Sequence, residues 1–144
     1  MRSTFCAVAV AMLVLAVGAC GGSSSQDKAE AAQSTVCDGR ASIGKQVDQL
    51  SSLTPATVTT EAVTKSLTTI KNDLKDMANA QSDLSSDRRS ELQAANKAFA
   101  SSVQSVTGEV LKSLSASDAK AALVTALDQL KTSYQSAFSR VSCD

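Results

Sequence analysis

The spacing of apolar side chains restricts how this 144-residue chain can fold more than any other feature. After Asp38, apolar residues recur at intervals of three and four positions, and we find no stretch with the alternation of a β-strand. A period near 3.6 places these side chains along one face of a helix, which is then buried against neighbouring helices. The sequence therefore predicts an all-α domain.

The first two segments with this spacing are separated by a proline-containing turn. Asp38 is the expected N-cap of the first segment, because aspartate accepts hydrogen bonds from exposed amides at a helix start. Pro55 ends it, since the residue before a proline is disfavoured in helical conformation. The expected core residues are Ile43, Val47 and Leu50 in the first segment and Val63, Leu67, Ile70, Leu74 and Met77 in the second.

The third and fourth segments carry longer apolar stripes. We expect the third to begin at Ser85 or Ser86, and Gly108 within it to mark a close helix contact or a slight bend. The fourth opens with Ser115 and Asp118 at the spacing of a capping box. The expected core residues are Leu92, Ala95, Phe99, Val103, Val106, Val110 and Leu114, then Leu123, Leu127, Leu130, Tyr134, Phe138 and Val141.

The first twenty residues have the pattern of an export signal. Arg2 precedes an apolar run from Phe5 to Val17, and small residues follow, as in secretory signal peptides. The sequence Val17-Gly18-Ala19-Cys20 resembles the lipobox of bacterial lipoproteins, and the following GGSSS resembles the tether of those from high-GC Gram-positive bacteria. The resemblance implies cleavage after Ala19 and attachment of diacylglycerol to the sulfur of Cys20. The alternative is an ordinary signal peptide with an incidental thiol, and the rest of the chain resembles no characterised family.

This resemblance divides the chain into a signal peptide (1–19), a flexible tether (20–35) and a four-helix domain (36–144). The tether expectation rests on the small, polar composition of residues 20–35, which is typical of flexible linkers. Such a linker spans about 20–24 Å, so we expect the domain to lie close to the extracytoplasmic face of the cell membrane.

Two of the four cysteines are left to form a disulfide. If Cys6 leaves with the signal peptide and Cys20 carries lipid, then Cys37 and Cys143 remain in an oxidising compartment. A redox pair is the alternative, although such pairs are usually close in sequence.

This disulfide restricts the number of helices. It requires Cα atoms within about 7 Å, whereas an odd number of antiparallel 20-residue helices would separate the two ends by about 30 Å unless a terminal segment doubles back. We therefore expect an up-down-up-down four-helix bundle closed by a terminal disulfide.

The same topology places the turn between the second and third helices at the membrane-facing end. Arg88 and Arg89 lie just after this turn, where contact with anionic lipid headgroups would be favourable by about 1 kcal/mol each. The alternative is that both are solvated beside Asp87 and Glu91.

The composition argues against several classes of function. The chain has no histidine, which is the commonest general base and a frequent metal ligand. We find no phosphate-binding loop and no nucleophile elbow, so we expect no catalytic residue, no metal site, no cofactor and no enzyme activity. Loss of Arg2 would leave 13 basic against 14 acidic residues, a balance that does not favour nucleic-acid binding.

By elimination, we expect an interaction or accessory module that contacts another protein at the cell envelope. The alternative is a binder of a lipid or small apolar ligand between the helices, near Phe99, Tyr134 and Phe138. A bulk envelope component without a specific partner is a third interpretation.

Overall fold

The computed structural model describes residues 24–112 and 117–143. These residues form four α-helices. Consecutive helices pack against each other, and the fourth closes the ring against the first. The prediction of an all-α, up-down-up-down four-helix bundle is therefore confirmed. The helices are α1 (Ser25–Ser51), α2 (Thr60–Ala80), α3 (Ser86–Lys112) and α4 (Ser117–Phe138), with a 3-10 turn at Gln81–Asp83 between α2 and α3.

The predicted apolar stripes form the core of the bundle. Among the predicted core residues whose side chains are described, all are buried except Tyr134, which is half-buried. The ring of Phe99 lies 5.6 Å from that of Tyr134 and 5.7 Å from that of Phe138, both in edge-to-face geometry. Leu114 lies outside the described residues.

The start of α1 corrects two predictions. The helix begins at Ser25, so the expected flexible tether over 20–35 is wrong from that residue onward, and Asp38 lies inside the helix instead of capping it. Ser24 is the N-cap, and its side chain and that of Asp27 form a capping box. Ala32 and Val36 are only 5% and 2% exposed, so the apolar stripe begins a full eleven residues before Ile43.

The other helix ends agree with the sequence pattern in part. The hydroxyl oxygen of Thr59 caps α2 by accepting from the Ala62 amide, and α3 begins at Ser86 as predicted. The α4 helix ends at Phe138, so Val141 is buried in a tail beyond the helix and not within it. The expected capping box of Ser115 and Asp118 lies outside the described residues.

Candidate functional site

The disulfide end of the bundle joins the first helix to the carboxyl-terminal tail. Cys37 on α1 and Cys143 in the tail are bonded, with their Cα atoms 5.5 Å apart. The predicted disulfide is therefore confirmed, together with the even number of helices that it required.

Two further α1 side chains hold the same tail. The Arg40 guanidinium donates to the Val141 carbonyl at 2.7 Å, and the Gln33 amide donates to the Ser142 carbonyl at 2.8 Å. Gln33, Cys37 and Arg40 are spaced at i, i+4 and i+7, which places them on one face of α1. Sequence reasoning missed Gln33 and Arg40, because their acceptors are backbone carbonyls and helical spacing from Cys37 shows only that they share its face.

The structure gives Arg89 a role within the fold. Its guanidinium donates to the carbonyls of Gln81, Ser82 and Leu84 at 3.0, 2.7 and 3.2 Å, which caps the turn between α2 and α3. These bonds use guanidinium N–H groups that would otherwise be free to donate to a lipid phosphate. Arg88 is exposed at the disulfide end. Contact of the two arginines with lipid headgroups stays a prediction, and the exposed Arg88 fits it better than Arg89 does.

A small cavity lies beneath the tail at this end. It has a volume of about 30 Å³ and is bounded by α1, the tail, the α2–α3 turn and the first turns of α3. About 10–15 Å³ suffices for one water, whereas ligand pockets measure about 300–1,000 Å³. This cavity accommodates water and does not have the size of a lipid site. Its lining residues are Gln33, Val36, Leu84, Arg88, Glu91, Leu92, Val141 and Ser142.

Tyr134 links α4 to α1 in the middle of the bundle. Its hydroxyl donates to the Arg40 carbonyl at 2.8 Å, and a Cβ placed on Gly44 would be 2.9 Å from the same oxygen. Glycine at position 44 therefore leaves room for the tyrosine. Burial raises the pKa of Tyr134 above 10.0, and the nearby Arg40 charge lowers that pKa in part.

The largest concave surfaces are open grooves between helix pairs. One of about 420 Å³ lies between α1 and α2 near the turn that contains Pro55, at the opposite end of the bundle from the disulfide. We call it the α1–α2 groove. It is lined by Gln46, Gln49, Leu50, Leu53, Ala62, Lys65, Ser66 and Thr69.

Within residues 24–112 and 117–143, no group of three or more His, Cys, Asp or Glu side chains is placed to hold a metal ion. The helices in the same ranges fall short of the length and apolarity that a membrane span requires.

Comparison with protein-family models, with curated proteins and with solved structures found no match to this chain.

Proposed function

We propose that this protein is a lipoprotein, anchored at the extracytoplasmic face of the cell membrane, whose helical domain binds a partner protein. The observation that carries the binding role is the filled core. The large apolar side chains are used in packing the bundle, so the polar groups available for recognition lie in open grooves on its outer surface. The anchor rests on Cys20 and the lipobox resemblance, and the Cys37–Cys143 bond is consistent with an exported protein.

The early start of α1 alters how an anchored domain would be held. With the helix beginning at Ser25, only residues 20–24 separate a lipidated Cys20 from the first turn of α1. Five residues span at most about 16–18 Å when fully extended. Since α1 starts at the disulfide end, that end would face the membrane and the α1–α2 groove would face away from it.

The anchor is tested by replacing Cys20 with serine. We expect the Cys20→Ser protein to leave the membrane fraction, because a secreted domain without acyl chains lacks stable membrane affinity. Cys6→Ser is the matched control, since it removes a thiol from the apolar run and leaves the lipobox intact. Continued membrane association of Cys20→Ser at the level of Cys6→Ser would disprove lipid anchoring through this residue.

The partner is tested by photo-crosslinking in intact cells, with probes placed at exposed positions on each helix. We expect one recurrent protein product from probes on one face, identified by mass spectrometry. The competing role, binding of a lipid or small apolar ligand between the helices, predicts a copurifying small molecule that raises the melting temperature. That result, together with scattered or absent protein products, would overturn the interaction role.

A further inference from the structure

The α1–α2 groove is lined by a serine whose side chain is mostly buried and whose hydroxyl faces the groove. Ser66 is 8% exposed and is the one polar side chain in the buried class among the described residues. The neighbouring hydroxyls of Thr68 and Thr69 donate to the carbonyls of Thr64 and Lys65 one turn earlier. The Ser66 hydroxyl makes no such bond within the described part of the chain, although it lines the groove. Because this hydroxyl faces the groove without an acceptor in the described part of the chain, it is available to donate to an acceptor on a ligand.

The charge of the groove favours an anion. Lys65 contributes an ammonium group to the lining, and no carboxylate lines it. Glu61, four residues earlier on α2, is not among the lining residues. The four other described cavities differ in this respect, because each has at least one carboxylate in its lining: Asp76, Asp83, Glu91 or Glu109.

The rest of the lining suits a peptide. The side chains of Gln46 and Gln49 carry both donors and acceptors, which is what the backbone of an extended segment requires. The half-buried Leu53 and the exposed Ala62 provide an apolar surface beside them. The lining thus combines a cation and a hydroxyl for a carboxylate, two amides for a peptide group, and an apolar contact for a side chain.

We propose that the α1–α2 groove binds the free carboxyl terminus of a partner polypeptide whose last side chain is apolar. Lys65 and Ser66 hold the terminal carboxylate, the two glutamines bond to the last peptide group, and Leu53 and Ala62 contact the last side chain. Capture of terminal carboxylates is a known mode of peptide recognition. This inference rests on the proposed role as a partner-binding module and identifies the surface and the part of the partner that meet.

The test uses the full lipidated chain in lipid nanodiscs and a pair of matched probes, N-acetyl-leucine and N-acetyl-leucinamide. The two differ only in the terminal carboxylate, and affinity is measured by saturation-transfer difference NMR against empty nanodiscs. We expect the carboxylate probe to bind at least about tenfold more tightly than the amide, because a hydrogen bond to a charged group contributes about 1.5–3 kcal/mol.

Variants assign the binding to the groove. Lys65→Met is expected to weaken N-acetyl-leucine binding about tenfold, and Ser66→Ala about threefold, since the latter removes one donor. Lys75→Met is the matched control, because Lys75 is an exposed lysine on the same helix outside the groove. Equal binding of the two probes, or equal effects of Lys65→Met and Lys75→Met, would overturn the inference.

A crosslinking arm separates this inference from the proposed function. A probe at Gln49 should capture the carboxyl-terminal peptide of the partner in intact cells. A single partner captured only from α3 or α4 would leave the interaction role standing and would overturn the groove as its site.

Discussion

At the scale of single residues, the contact between Gly44 and Tyr134 controls how closely α1 approaches α4. A Cβ on residue 44 would lie 2.9 Å from the tyrosine hydroxyl, which is held by its bond to the Arg40 carbonyl. Replacing glycine with alanine inside a helix usually stabilises a protein by about 1 kcal/mol. We expect Gly44→Ala to show no such gain, because the Tyr134 hydroxyl must leave its acceptor.

Removing that hydroxyl should restore the benefit. In the Tyr134→Phe background the next ring atom is 3.4 Å from the added Cβ, so Gly44→Ala should stabilise by about 1 kcal/mol there. A double-mutant cycle of urea unfolding free energies measures the coupling. Additive effects of the two substitutions would show that the hydroxyl does not limit the approach of the helices.

Two other glycines should respond oppositely to alanine. A Cβ on Gly39 would lie 2.7 Å from Cγ and 2.9 Å from Sδ of the buried Met77 side chain, whereas a Cβ on Gly108 would have nothing within 4 Å. The expected close contact at Gly108 is therefore wrong. We expect Gly108→Ala to raise the free energy of unfolding by about 1 kcal/mol and Gly39→Ala to lower it. Thermal and urea unfolding of both variants check this, and a stabilised Gly39→Ala would contradict it.

Tyr134 also predicts a loss of stability at high pH. Burial raises its pKa above 10.0 in the folded protein, so the unfolded chain loses this proton first as the pH rises. The resulting stabilisation is fully present below about pH 10 and decreases until the pH passes the folded pKa. Urea unfolding between pH 8 and pH 11 should show a steeper decline for the natural protein than for Tyr134→Phe. Equal declines would mean that this hydroxyl does not contribute.

At the scale of elements, the first turns of α1 are the part of the fold that the sequence pattern did not reveal. Ala32 packs in the core while its neighbour Ala31 is exposed. We expect Ala32→Asp to unfold these turns, because a carboxylate would replace a buried methyl group. Ala31→Asp adds the same charge on the solvent face and is the control. Amide hydrogen exchange over residues 28–36 should accelerate in Ala32→Asp only, and equal exchange in both variants would argue that these turns are not packed.

The physical reason for this miss is the size of the side chains. The stripe from Val63 to Met77 is made of large apolar residues at steps of four and three, and the predicted helix is confirmed over that range. Residues 25–35 contain alanine but no larger apolar side chain, and alanine is compatible with a linker as well as with a helix face. Only the Ser24 and Asp27 capping box, whose spacing is visible in the sequence, pointed to the actual start.

The contacts that hold the tail against α1 show a second limit of prediction from sequence. The disulfide followed from the placement of Cys37 and Cys143, because only cysteines form that bond. Gln33 and Arg40 bond to backbone carbonyls that lie 109 and 101 residues away. Since every residue carries a carbonyl, such acceptors leave no pattern in the sequence. The same holds for the unbonded hydroxyl of Ser66, which is one of many serines until its surroundings are known.

At the scale of the whole molecule, the disulfide joins the first helix to the residues after the last one. Its cysteines are 106 residues apart, and cross-linking a loop of about 100 residues stabilises by about 4.7 kcal/mol in the chain-entropy account. We expect the Cys37→Ser, Cys143→Ser double variant to lose about that much of its free energy of unfolding. Single domains have about 5–15 kcal/mol in total, so the variant should be marginally stable at 37 °C.

The lost stability should come mainly from the greater conformational freedom of the unfolded chain, because other contacts still hold the two ends of the native chain together. Arg40 and Gln33 still bond to the tail, and the tail residue Val141 stays buried. Circular dichroism at 10 °C should therefore show the same helix content in the double variant and the natural protein, while urea unfolding shows a much lower midpoint. A variant that has already lost helix at 10 °C would show that the native bundle does not form without the disulfide. A variant with an unchanged midpoint would show that α1 and the tail are joined as firmly by their noncovalent contacts.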